Sequence, residues 1–472
     1  MSEGEVRHAH TSTAIGQTTN RRRDLAGLIT ALVLVGVLIA VIVVGDRDRA
    51  VISVPSDAAT PAIAPTDATS SVWYCAAGSS EADGLAAEAV LVTNVGAEPI
   101  DADVTVLPSG DVEPVATTVT VEAHSTSSVA IADVLVTPEP GVVVETFGGD
   151  VFVEHRVRRG DDVAFGPCAT TASTEWYFAS GTTAQGAQQV LVLFNPFGED
   201  ASVDVSFVSE NGFSQPERLQ GLTVPRRSRV SIPIHDEVSR QTSVATHVSA
   251  RIGRVVAEQM LLFDGSESVG GRTGIGVSLG ATSLASEWTF PWAGTPGTGG
   301  QAIAVANFGT TSGELTIATT LDGEATLADQ TQPIPPRTVA LVDLASGLPA
   351  DLGAAVTVRA SRGVEVIAEQ FAVGSDGGIA TMVGGTDAFP RWAFSNSGRA
   401  IAIVNPSANT VEVVVTAASG DELARLDVAA GGRAEVADLE GDEGGPVVVE
   451  AAGPVLAVRV GSLTVSPGVV GR

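Results

Sequence analysis

The chain has 472 residues and a formal charge of −29, too long for one ordinary domain and acidic enough to repel nucleic acid and anionic lipid headgroups. All 26 basic side chains are Arg, since the sequence holds no Lys, which excludes Schiff-base chemistry and phosphate loops that need a lysine. No nucleic-acid partner and no cofactor is expected.

Residues 1–24 read as a polar cytoplasmic tail. The run from Leu25 to Val44 has twenty positions without a charge, and at ~1.5 Å per residue it would span ~30 Å, the thickness of a bilayer core. Arg21, Arg22 and Arg23 precede it, whereas Arg47 and Arg49 are interleaved with Asp46 and Asp48. The positive-inside rule then predicts a single-pass cell-membrane protein with a cytoplasmic N-terminus and extracytoplasmic C-terminal repeats. A cleaved signal peptide fits less well, because the apolar run is long and ends in Gly45, Asp46 and Arg47 rather than in a small-residue site. Residues 45–71 are rich in Pro, Ala and Thr, the composition of an extended spacer.

Beyond the spacer the sequence repeats. Trp73, Trp176, Trp288 and Trp392 each open a unit, and each is followed by an apolar strand ending at Asn94, Asn195, Asn307 or Asn405. A polar turn and a strand of period two come next, as in Ala102, Val104 and Val106, so one face is buried and one is wet. The Asn-to-Asn intervals are 101, 112 and 98 residues. That length and strand density predict an all-β fold of four tandem immunoglobulin-like β-sandwiches, at residues 72–170, 171–282, 283–388 and 389–472, after one N-terminal transmembrane helix. A β-propeller is the alternative, but its blades are about half as long.

The turn built on Asn94, Gly96 and Val104, the Trp-aromatic openings and the Asn-Pro or Asn-x-Gly turns resemble the actinobacterial membrane-anchored family catalogued as domain of unknown function 5719. The resemblance covers most of residues 70–470 and implies no activity.

Cys75 and Cys168 are the only cysteines and bracket the first unit, which predicts a structural disulfide. Glu154, Glu258 and Glu369 share one register position beside His155, Gln259 and Gln370, and the fourth unit has Val458 and Arg459 there. These carboxylates are candidate contact positions, read either as a repeated ligand contact or as hydrogen-bonding positions at a unit interface. The four recurrent Trp read as core anchors, leaving Trp292 as the candidate exposed aromatic. No catalytic residue, cofactor-binding loop or metal-ligand spacing stands out.

These features predict a non-enzymatic, membrane-anchored extracytoplasmic scaffold or adhesion-type protein of the bacterial cell envelope, a stalk whose partner is an envelope protein or a glycan. The alternative is a carbohydrate-binding module array in cell-wall metabolism.

Overall fold

A computed structural model describes residues 62–110, 112–266, 272–294, 301–323, 325–344, 348, 352–373, 378–440, 444–461 and 465–471. They are almost entirely antiparallel β structure. The first block supplies β1 (Ser71–Cys75), β2 (Ala87–Asn94), β3 (Ile100–Leu107), β4 (Val115–Val121), β5 (Ser125–Ala130), β6 (Gly141–Phe147), β7 (Val151–Arg159) and β8 (Asp162–Pro167), with one helical turn, α1 (Ile131–Val134). Its sheets run β1-β6-β3-β4 and β5-β2-β7-β8, and they face one another across Trp73, Val90, Val92, Val104, Val144 and Val153. Period-two alternation produces this: in β3, Ala102, Val104 and Val106 are buried while Asp101 is exposed. The block has eight strands, and the order differs from the ABED/CFG arrangement of immunoglobulin domains, because β1 and β2 lie in opposite sheets rather than side by side.

The second block has β9 (Glu175–Phe178), β10 (Ala187–Asn195), β11 (Ala201–Ser209), β12 (Gly212–Ser214), β13 (Leu222–Val224), β14 (Ser228–Pro233), β15 (Val244–Ile252), β16 (Val256–Asp264) and β17 (Thr273–Leu279). Its sheets run β12-β11-β15-β9, with β13 also on β11, and β14-β10-β16-β17. The third has β18 (Glu287–Phe290), β19 (Gln301–Asn307), β20 (Gly313–Leu321), β21 (Gln330–Ile334), β22 (Thr338–Asp343), β23 (Ala354–Ala360), β24 (Ile367–Val373) and β25 (Ile379–Val383), in the orders β18-β23-β20-β21 and β22-β19-β24-β25. The fourth has β26 (Phe389–Phe394), β27 (Ala400–Val404), β28 (Val411–Ala417), β29 (Glu422–Val428), β30 (Arg433–Val436), β31 (Val447–Val460), β32 (Val465–Pro467) and β33 (Val469–Gly471). Here β31 pairs with β26 and β28 through its first half and with β27 and β32 through its second, which joins both layers into one eight-stranded sheet.

The recurrent Asn shapes the turn after each second strand. Asn195 accepts from the Phe197 N–H through Oδ1 (3.1 Å) and donates through Nδ2 to the carbonyls of Glu199 (2.8 Å) and Val224 (3.0 Å). Asn94, Asn307 and Asn405 bond their own turns in the same way. A carboxamide is needed because the position must both donate and accept. The opening Trp is buried in every block, and the indoles of Trp176, Trp288 and Trp392 donate to the carbonyls of Val255, Val366 and Val455 (2.8 Å each). Cys75 and Cys168 form a disulfide that ties the start of the first block to its end.

The blocks do not stand in a row. β8 packs on β17, β17 on β25, β25 on β32, and β32 on β8, so these four edge strands surround a common axis and the chain closes into a ring. Small residues permit the approach: a Cβ on Gly166 would lie 3.3 Å from Val277, and one on Gly276 3.0 Å from Thr381. Residues from the end of the expected spacer seal the closure. The Ile63 N–H bonds the Val470 carbonyl (2.7 Å) of the fourth block, and the Ala64 N–H bonds that of Val151 (2.8 Å) in the first. Ile63, Val95 and Phe152 share a core with Ala393, Ala418, Val448 and Val469.

The expected membrane partner and single-pass localisation are corrected. Among the described residues no helix is long and apolar enough to cross a membrane. The apolar run from Leu25 to Val44, on which both expectations rested, lies outside the described residues.

Replacing Asn195 by Asp retains the acceptor but removes the donor and places a charge against the Glu199 and Val224 carbonyls. We expect a loss of about 1–3 kcal/mol in urea unfolding. Asn409→Asp, at an exposed position, should stay within about 0.5 kcal/mol of the parent.

Candidate functional site

The sequence-predicted carboxylates all sit where one block meets another. Glu258, on β16, accepts from the N–H groups of Ala76 (3.1 Å) and Ala77 (2.8 Å), just beyond β1 of the first block. Glu369, on β24, does the same for Ala179 (3.1 Å) and Ser180 (2.9 Å) beyond β9 of the second. Glu154, on β7, accepts from the Ser395 N–H (2.9 Å) beyond β26 of the fourth. All three are fully buried.

The fourth unit's departure has a specific counterpart. Val458 pairs with Ala402 in the same register as Glu258 with Val192 and Glu369 with Ala304. The residue after Phe290 that it should serve is Pro291, which has no N–H to offer. Of the two successive N–H groups that Glu258 and Glu369 each bind, this junction lacks the first, and the chain carries no carboxylate at 458.

A second position, not recognised in the sequence, binds the carbonyl of the same peptide segment. Arg229 donates to the carbonyls of Ala76 (2.8 Å), Gly78 (2.7 Å) and Pro140 (2.9 Å). Arg433 Nε donates to the Pro291 carbonyl (3.0 Å), while its other nitrogens pair with Asp322 and Glu435. Thr126 Oγ1 donates to the Ser395 carbonyl (2.9 Å). Arg229 and Arg433 face Phe194 and Val404, each one residue before its block's Asn, and Thr126 faces Thr93 likewise. An Arg in the short apolar stretch around Val230 and Ile232 was the available signal.

A third pair lies beneath. Gln189 Nε2 donates to Gln259 Oε1 (2.8 Å), and Gln259 Nε2 to the Ser180 carbonyl (2.5 Å). In the first block the same two positions are Glu88 and His155. His155 Nδ1 lies 3.4 Å from Glu88 and Nε2 3.3 Å from Glu258, all buried. Burial alone would lower the imidazole pKa, but Glu258 and Glu88 outweigh it and bring it to about 9. Burial pushes the Glu88 carboxyl up, against the opposing pull of His155 and Arg229. Burial likewise holds Glu369 above the usual carboxylate range despite the Ser180 and Ala179 N–H groups. At the junction of the fourth block with the first, Arg459 lies 3.3 Å from Glu154 and over the Phe165 ring.

Trp292 is half-buried against the core of the third block, whereas the four opening Trp residues are buried. A cavity of about 50 Å3 lies at the axis, lined from all four blocks by residues that include Phe165, Leu279, Met382 and Val458, without a titratable side chain. Among the described residues no cluster of His, Cys, Asp or Glu could hold a metal ion.

Residues 153–271 match a family of unknown function, domain of unknown function 5719, in agreement with the resemblance carried by the Trp openings and Asn turns. No curated protein matches the chain. The crystal structure of Streptomyces avermitilis alpha-L-rhamnosidase complexed with L-rhamnose aligns with 87% of this chain and 56% of its own at 10% identity. Its TM-score is 0.13, and nothing about fold or function follows from it.

The His155 cluster makes stability pH-dependent in a defined sense. Its folded pKa of about 9 exceeds the unfolded value, ~6.5, so its contribution is complete below pH ~6.5 and lost as pH rises through 9. The raised Glu88 acts in the same direction. Glu88→Gln with His155→Gln installs the neutral pair of the second block and should flatten the fall in melting temperature between pH 6.5 and 9.5. A parental slope unchanged in the double variant counts against this account.

Proposed function

We propose that this chain, a member of the family catalogued as domain of unknown function 5719, is a non-enzymatic scaffold whose tandem sandwich units close into a stiff ring and present its rim to a protein partner. One observation carries the reading: the repeated carboxylates are spent on backbone N–H groups of the neighbouring block. A buried carboxylate holding two peptide donors stiffens a junction and is inaccessible to substrate. The absence of titratable groups around the axial cavity points the same way.

Glu258→Gln turns one of the two oxygens that bind Ala76 and Ala77 into an NH2 that meets a backbone donor, and Glu369→Ala removes Oε2, the single oxygen that accepts from both Ala179 and Ser180. We expect a loss of about 1–3 kcal/mol per site. Pairs of spin labels on introduced cysteines in the first and third blocks should give a narrow distance distribution that broadens in the double variant. The native cysteines are paired and would not take the label. A broad distribution in the parent, or variants of parental stability and stiffness, would overturn the scaffold reading.

A further inference from the structure

Each block has four sheet edges, and three are engaged. The edge at β8, β17, β25 or β32 packs at the axis. The edge at β5, β14, β22 or β30 meets the preceding block, through Thr126, Arg229, the packing of β22 on β11, and Arg433. The edge at β1, β9 or β18 bonds the segment that follows its block's last strand, as Tyr74 with Ala169, Tyr177 with Ala281 and Thr289 with Gly385, and β26 is covered by β33. The fourth edge is at β4, β12 with β13, β21 or β29, and of these β12 meets the third block through Phe213, which packs on its core and lies under Arg337.

Edge strands are normally guarded against strand addition by charge, proline or interruption. β29 carries Glu422, Arg425 and Asp427; β21 is short and contains Pro333; β12 and β13 are separated by a segment with Pro216 and a 3-10 turn, Glu217–Leu219. β4 has none of these. Its seven residues, VATTVTV, are uncharged and mostly exposed, with Pro114 just outside the strand.

We infer that β4 accepts an extended segment of a partner protein in which apolar and basic side chains alternate. The chemistry of the two faces sets this choice. On one face Thr118 and Thr120 donate to Asp103 and Asp101 of β3, and Glu113 and Glu122 flank the strand at exposed positions. Strands lie ~4.8 Å apart, so the β3 acids would stand ~10 Å from an added strand, within reach of an extended Lys or Arg. On the other face Val115, Thr117 and Val119 are partly open, which suits Val or Ile at alternate positions. Main-chain bonds would supply affinity and the alternation specificity.

The inference rests on the scaffold reading but not on its junctions, which the test leaves untouched, so either can fail alone. A capped seven-residue peptide alternating Val and Lys is added to the full chain, with a Val and Glu peptide as control. The Lys peptide is expected to slow hydrogen exchange at alternate amides of residues 115–121. Its affinity should fall at least ten-fold in Thr118→Lys with Thr120→Lys, and also in Asp101→Asn with Asp103→Asn. Binding without protection of β4, equal binding of both peptides, or protection of β4 by self-association in the absence of peptide would each overturn it.

Discussion

The ring depends on how one short backbone segment is satisfied. Beyond the Trp-bearing strand of each block, the chain turns inward and buries its peptide groups against the next block, where water cannot serve them. A junction forms only if the neighbour supplies partners, and it does so from one or both of two register positions: a carboxylate for the N–H and a cationic or hydroxyl side chain for the C=O. The pairing of Pro291 with Val458 supports this account of the requirement. A Glu at 458 would be a buried charge with one backbone donor fewer than Glu258 or Glu369 has, and burying a charge short of partners is costly; the chain carries none there.

The four junctions meet the requirement differently. The first and second blocks share both partners, Glu258 and Arg229, and add the ionic pair of Glu88 with His155. The second and third rely on Glu369, in a block whose deeper positions are Gln301 and Gln370. The third and fourth use Arg433 and direct backbone bonds between Arg433 and Gly323 (2.9 Å each). Buried ionic groups seldom add net stability over apolar packing, but they penalise wrong partners heavily. Distinct chemistry at each seam therefore favours one circular order of similar blocks, in which a mismatched pair would leave a charge or a peptide group unserved.

Much of this was legible in the sequence. The Asn turns, the opening Trp strands and the position shared by Glu154, Glu258 and Glu369 were visible because each depends on local spacing within one repeat. Arg229, Arg433 and Thr126 were not, since they share no side-chain chemistry and only their target, a carbonyl in another block, makes them equivalent. Val458 lies opposite Pro291 more than 160 residues away, a relation that no spacing within one repeat displays. Ile63 and Ala64 were assigned to a spacer on composition, and strand-like bonding to Val470 and Val151 leaves no trace in composition. The circular arrangement is a property of pairs of blocks, and periodicity within a block carries no information about it.

Closure over such a distance is less costly than its length implies. The contact of Arg459 with Glu154 spans 305 residues, against 182 for Glu258 with Ala76. Loop-closure entropy grows only with the logarithm of length, so the longer contact costs roughly 0.5 kcal/mol more in a flexible chain. Once the three preceding junctions have formed, even that difference shrinks, because the ends are already brought together by a stiff arc. The hydrogen bonds of Ile63 and Ala64 then act on neighbours rather than on distant segments. Ring closure is thus limited by geometry: the turns at the junctions must together bring β32 back to β8, and the glycines facing Val277 and Thr381 allow the axial strands to come close enough for that.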